Sequence, residues 1–109
     1  TLFRSAREAA ARVEVAPAVM AYLVDICRAT RTSPAVRLGV SPRGATALLR
    51  TSRVWAFLQG RGFVTPDDVK TMAPSTLAHR LGLRAEANLE GITAVNVISG
   101  VLAATPVPR

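Results

Sequence analysis

The stretch Gly39-Val40-Ser41-Pro42-Arg43-Gly44-Ala45 carries the clearest helix start in the sequence. Ser41 is a favoured N-cap, because its hydroxyl can accept one of the unpaired backbone N–H groups of a first turn, and Pro42 suits the first helical position, where no N–H is needed. Downstream, Ala45, Leu48, Leu49, Ser52, Trp55 and Ala56 recur on one helix face, and Gly60 and Gly62 end the pattern after Gln59. The reading is a helix over residues 42–59, about 27 Å long. Trp55 lies on the apolar stripe and is expected in the core. Arg43 and Arg50 share the opposite side and are available to a partner.

Working outward toward the N-terminus, Val19, Tyr22, Leu23, Ile26 and Thr30 fall on one face of a helix that Pro17 opens and Thr32-Ser33-Pro34 closes. Met20 and Tyr22 read as core filling. Thr1 to Val13 is alanine-rich and expected to be helical, whereas Ala35 to Val40 reads only as an extended loop or a single turn.

Toward the C-terminus, Phe63-Val64 is a short extended piece, and Thr65-Pro66-Asp67-Asp68 restarts a helix with a cap, a first-turn proline and acids facing the helix dipole. Capping accounts for Asp67 and Asp68, and no phosphate loop accompanies them to suggest a magnesium site. Pro74 is expected to interrupt this helix, with Ser75 capping another through His79, Arg80 and Leu81. After a break at Gly82, Thr93 caps a last helix in which Val95, Ile98 and Leu102 repeat, before Pro106 and Pro108. The fold class is therefore all-α in the main: a small helical bundle over residues 1–109, with a helical core about 1–81, a C-terminal helical extension about 82–109, and a very short strand pair near Phe63-Val64.

Composition narrows the function. Half of the 109 residues are hydrophobic, enough for one core without a metal or disulfide scaffold. Cys27 is the single cysteine, which excludes an internal disulfide and a zinc-spaced thiolate set and suits a reducing cytoplasm. Ala94 to Ala104 is broken by Asn96 and Ser99 and is shorter than the ~20 residues of a membrane span, so a soluble, cytoplasmic chain with no membrane partner is expected. Thr1 is not an initiator, and Arg4, Arg7, Glu8 and Arg12 replace any signal-peptide core, so the start is expected to be a cut inside a longer chain. The net charge of +7 is almost wholly arginine, with Lys70 the one lysine, but it is dispersed from Arg4 to Arg109. On charge alone a solvated arginine-rich surface is favoured over nucleic-acid binding, and phosphate-bearing partners are compatible with it.

The usual catalytic sets are missing. Lys70 follows Asp67-Asp68-Val69 rather than a glycine-rich loop, and there is no GxSxG elbow, HExxH helix or paired Cys/His set. His79 has no nucleophile or metal partner in sequence. No catalytic residue, metal ligand or cofactor of its own is assigned to the chain, which is not expected to be an enzyme in isolation. What remains is Arg43. A helix start offers free N–H groups and the positive dipole end, where a cation is disfavoured unless an anion joins it. The arginine fork matches phosphate oxygens. On the residues alone, a surface arginine bonded to a nearby carboxylate accounts for Arg43 equally well.

The order of motifs carries more than any one of them. Tyr22-Leu23-Val24-Asp25, Ala29-Thr30-Arg31, Leu38-Gly39-Val40-Ser41-Pro42-Arg43-Gly44-Ala45, Gly60-Arg61-Gly62-Phe63-Val64-Thr65-Pro66-Asp67-Asp68-Val69-Lys70 and Leu77-Ala78-His79-Arg80-Leu81 together resemble the C-terminal lid of MoxR-family AAA+ ATPases across nearly the whole chain. The resemblance implies that Arg43 is the sensor-2 arginine, reaching the phosphates of ATP bound with magnesium by a core that this chain lacks. Ser41, Arg37 and Arg31 are secondary candidates near the phosphate site, with no individual role assigned. It also implies a chaperone-like parent that hydrolyses ATP, with three partners: the AAA+ core of its own chain, neighbouring subunits of a hexameric ring, and a von Willebrand A-domain protein. Two other readings stay open. One is a basic helix-turn-helix-like module built on Thr65 to Leu83, with His79 and Arg80 as base readers. The other is a docking domain that never meets nucleotide.

Overall fold

A computed structural model describes residues 2–108. Its elements run α1 (Leu2–Ala11), α2 (Pro17–Thr32), β1 (Val36–Leu38), α3 (Pro42–Leu58), α4 (Pro66–Leu77), a 3-10 turn (Ala78–Arg80), β2 (Gly82–Leu83), α5 (Ala85–Leu89) and α6 (Ala94–Ala104). One core joins them. Val19, Tyr22, Leu23 and Ile26 of α2 meet Leu48 and Ala56 of α3, Val69, Ala73 and Leu77 of α4, and Val97, Ile98 and Val101 of α6. Burying the valine, leucine and isoleucine side chains among them stabilises by about 1.5–3 kcal/mol each relative to exposure.

The helix starts follow their local chemistry. Ser41 Oγ accepts from Gly44 N at 3.4 Å, with Pro42 in the first turn. Thr65 and Asp68 form a reciprocal capping box, and Thr93 and Asn96 form another at α6. Gln59 closes α3, and Gly60 then takes φ +79, a conformation that lacks the usual Cβ penalty only for glycine.

Several expectations need correction. Pro74 does not interrupt α4, which runs through it to Leu77, and Ser75 caps nothing: its hydroxyl donates to Met72 O at 3.3 Å within the helix. Pro74 has no N–H for the carbonyl four residues back, but buried Ala73, Thr76 and Leu77 hold the helix on both sides of it. The two short helices of a helix-turn-helix over Thr65 to Leu83 therefore do not form. The strand pair also lies elsewhere. Phe63 makes only a single parallel bridge with Glu14, whereas β1 and β2 pair antiparallel, Val36 opposite Leu83 and Leu38 opposite Gly82. In α6 the buried face is Val97, Ile98 and Val101; Leu102 packs at its edge and Val95 is half exposed. Trp55 is only partly buried and lies outside the core cluster, contrary to the expectation.

The connection from α3 to α4 is tied down by a buried carboxylate. Asp68 Oδ2 accepts from Thr65 N at 2.8 Å, and Oδ1 is paired with the Arg61 guanidinium. Asp68 is 2% exposed, so both of its oxygens are committed inside the protein.

Candidate functional site

The chemistry-bearing end of the molecule is the start of α3, and its position is set by one residue, Val40. Val40 is fully buried, and both of its backbone polar groups are taken by the end of α2. Its N–H donates to Thr30 Oγ1 at 3.0 Å, while Thr30 Oγ1 in turn donates to Cys27 O at 2.6 Å. Its carbonyl accepts from Arg31 Nε at 3.3 Å and Arg31 Nη2 at 3.2 Å. Buried backbone groups must be paired, and here two consecutive side chains pair both groups of one residue.

Two glycines make the close approach possible. A Cβ on Gly39 would stand 2.5 Å from Arg31 Cγ and 2.9 Å from Arg31 Cα; one on Gly44 would stand 2.4 Å from Val40 Cγ1 and 3.4 Å from Arg80 Cδ. Thr30, Arg31, Gly39, Val40 and Gly44 thus form one packed unit that aims the first turn of α3.

On the outer side of that turn, Pro42, Arg43, Thr46, Ala47, Arg50 and Arg80 line an open depression of about 480 Å³. Arg43, Arg50 and Arg80 are all exposed, and among the described residues none has a carboxylate partner or a hydrogen-bond acceptor. Arg50 also borders a second depression of about 310 Å³ between α1 and α3, whose floor includes Ala10, Ala11 and Leu49.

The sequence-predicted residues divide. Arg43 and Ser41 sit together at the start of α3, Ser41 as its cap. Arg31 is at the same junction, with its guanidinium turned to the Val40 carbonyl. Arg37 is not in the depression: it lies on β1, its guanidinium close against Gly82, where a Cβ would meet Arg37 Nη2 at 3.2 Å. The residue that sequence reasoning did not bring here is Arg80, carried from the far end of α4 by the 3-10 turn. In sequence it stands out through the Leu77-Ala78-His79-Arg80-Leu81 motif and as a base reader of the helix-turn-helix reading, neither of which places it here.

The remaining titratable groups point away from chemistry. Burial pushes the Cys27 thiol up to about 11 against a lowering by Arg31, so it stays protonated near neutral pH. Burial, with a smaller contribution from Asp67, raises the Tyr22 hydroxyl above its ordinary value. Among the described residues no group of three or more His, Cys, Asp or Glu side chains is placed to hold a metal ion, and no helix is long and apolar enough to cross a membrane.

Comparison with known proteins is consistent across sequence and structure. The family model of the AAA lid domain matches residues 28–101. The YeaC protein of Bacillus subtilis is 45% identical over 87 residues, covering 80% of this chain and 27% of that protein. Protein MoxR of Methylorubrum extorquens is 37% identical over 84 residues, 65% of this chain and 24% of its own length. Chaperone MoxR1 of Mycobacterium tuberculosis is 32% identical over 112 residues, 94% of this chain and 30% of its own length. A crystal structure of a candidate ATPase from Cytophaga hutchinsonii superposes with a TM-score of 0.88 at 26% identity, covering 94% of this chain and 34% of the other. The chain thus spans about a quarter to a third of the length of the relatives it matches. Its helical architecture, the matched family model and the MoxR relatives agree, and the chain belongs to the AAA lid domain family, as a lid of the MoxR type.

Proposed function

We propose that this lid supplies Arg43 as the sensor-2 arginine of an ATP-hydrolysing, chaperone-like parent, closing over a nucleotide held with magnesium by a AAA+ core. The observation that carries the reading is the state of Arg43: it is exposed in the first turn of α3, beyond a connector whose backbone is bonded from both sides, and among the described residues it has no carboxylate partner. A carboxylate-bonded surface arginine would have shown such a partner. A cation at this end of a helix is locally unfavourable, and an approaching phosphate reverses the sign of that interaction.

The chemistry asked of Arg43 is electrostatic. Phosphoryl transfer builds charge on the oxygens of the transferred group, and a guanidinium aimed at them from a fixed backbone stabilises that charge without reorganising. In the same reading, Ser41 acts through the cap that orients the first turn and Arg31 acts through Val40, so neither needs to touch phosphate. A cytoplasmic hexameric ring, contact with adjacent subunits and a von Willebrand A-domain partner go with the proposal.

The test is the steady-state ATPase rate of the longer protein to which this lid is proposed to belong. Arg43→Ala is expected to lower turnover by about a hundredfold to a thousandfold, the range of losing one preorganised donor. Arg43→Lys is expected to be impaired as well, because an ammonium cannot make the planar two-pronged contact. Unchanged turnover in both variants would return the lid to a docking role without nucleotide contact.

A further inference from the structure

Arg80 reaches the start of α3 from 37 residues downstream, and the chain makes room for it. Gly44 has no side chain, and the aliphatic stem of Arg80 occupies the space beside it, with Cδ 3.4 Å from where a Cβ would stand. The stem therefore lies along the first turn of α3, and the charged end opens into the same depression as Arg43 and Arg50. Three guanidiniums line one hollow, and none of them has a carboxylate partner among the described residues. Like charges gathered this way repel in the empty protein, and an anion that bridges them removes the repulsion.

We propose that Arg80 is a second phosphate-binding residue of this lid, forming with Arg43 a two-arginine grip for a polyphosphate chain; the inference rests on the reading of Arg43 as phosphate-facing. The spacing selects the class of ligand. Arg43 and Arg50 are separated by seven residues, about 10.5 Å along the helix axis, with Arg80 at the Arg43 end. One phosphate cannot span from Arg43 to Arg50, whereas a run of linked phosphates held at one end by Arg43 and Arg80 extends toward Arg50. A nucleoside triphosphate or inorganic triphosphate can engage all three arginines, whereas orthophosphate reaches only the Arg43 and Arg80 end.

The test uses the 109-residue chain and three probes, inorganic triphosphate, ATP and orthophosphate at millimolar concentration and low salt, followed by calorimetry and backbone amide shifts. Triphosphate and ATP are expected to bind alike and more tightly than orthophosphate, perturbing the first turn of α3 and residues 78–81 together. Arg80→Met keeps the stem against Gly44 and removes the charge. It is expected to weaken triphosphate about tenfold with no fall in the thermal midpoint, while Arg28→Met, on the exposed side of α2, stays within about twofold. If Arg80→Met binds like wild type while Arg43→Met is weakened, the Arg80 assignment fails and the Arg43 reading stands. If neither variant is weakened, or triphosphate perturbs neither region, both fail. A clear drop in midpoint for Arg80→Met with unchanged binding makes Arg80 a packing residue. Tighter binding of duplex DNA than of triphosphate, lost in the same variants, overturns the polyphosphate assignment.

Discussion

Helices α3 and α4 both open with a hydroxyl cap and a proline, Ser41-Pro42 and Thr65-Pro66, but the next two residues are Arg43-Gly44 in one and Asp67-Asp68 in the other. At α4 the cap, the dipole and the ion pair agree, and Arg61 Nε is the one buried polar atom left without a partner among the described residues of this junction. The acids face the positive end of the dipole, the capping box is closed in both directions, and Arg61 pairs with the buried Asp68. At α3 the cap is present but the reciprocal acid is replaced by glycine, and an arginine stands where an acid belongs. The same start is thus used once to hold a loop in place and once to present an unsatisfied positive end to solvent. The second use gives up some stability at the position proposed to meet a ligand, which is where departures from local consistency are expected in natural proteins.

The largest test of this contrast is at the satisfied end. Asp68→Ala removes a carboxylate bonded to Thr65 N and Arg61 and leaves the Arg61 guanidinium partly buried without its partner. A loss of about 3 kcal/mol, roughly 12 °C in the thermal midpoint, is expected. A loss below about 1 kcal/mol would mean that the α4 start is no better satisfied than the α3 start. The next effect concerns the connector. Gly39→Ala forces a Cβ against the Cα and Cγ of Arg31 and is expected to destabilise by about 2 kcal/mol. Gly62→Ala, with nothing within 4 Å of its Cβ, serves as the control and should stay within about 0.5 kcal/mol of wild type. Equal effects at the two glycines would show that the junction is slack. The smallest effect has the opposite sign. Arg43→Glu places an acid in the first turn of α3 and is expected to stabilise by about 0.5 kcal/mol at low salt, fading as salt is added. A destabilised variant would mean that Arg43 is already satisfied in the free protein.

Most of the helices were legible because their signals are local. Ser41-Pro42, Thr65-Pro66 and Thr93 each mark a start within four residues, and the face of α2 from Val19 to Thr30 is buried as its spacing predicts. The features missed are the ones that depend on distant partners. Val36-Arg37-Leu38 is a strand only because Gly82-Leu83, more than forty residues on, lies beside it. Pro74 reads as a stop in isolation, yet tertiary burial of Ala73, Thr76 and Leu77 carries the helix through it. The site divides in the same way. Arg43 and its cap are visible in a seven-residue window. Arg31 was placed near the site without a role, because its partner is a carbonyl nine residues on that no pattern announces. Arg80 entered as one residue of the Leu77-to-Leu81 motif and as a base reader for a helix-turn-helix that does not form.

Because Val40 is bonded to α2 through both its N–H and its C=O, the link between α2 and α3 is pinned to the end of α2 just before the first turn of α3. A push on the arginine at the tip of α3 is delivered to the end of α2 by a strut of two side chains and the two backbone groups of Val40. The pair transmits displacement as a stiff lever would, and any pivot has to lie outside the segment from Thr30 to Gly44.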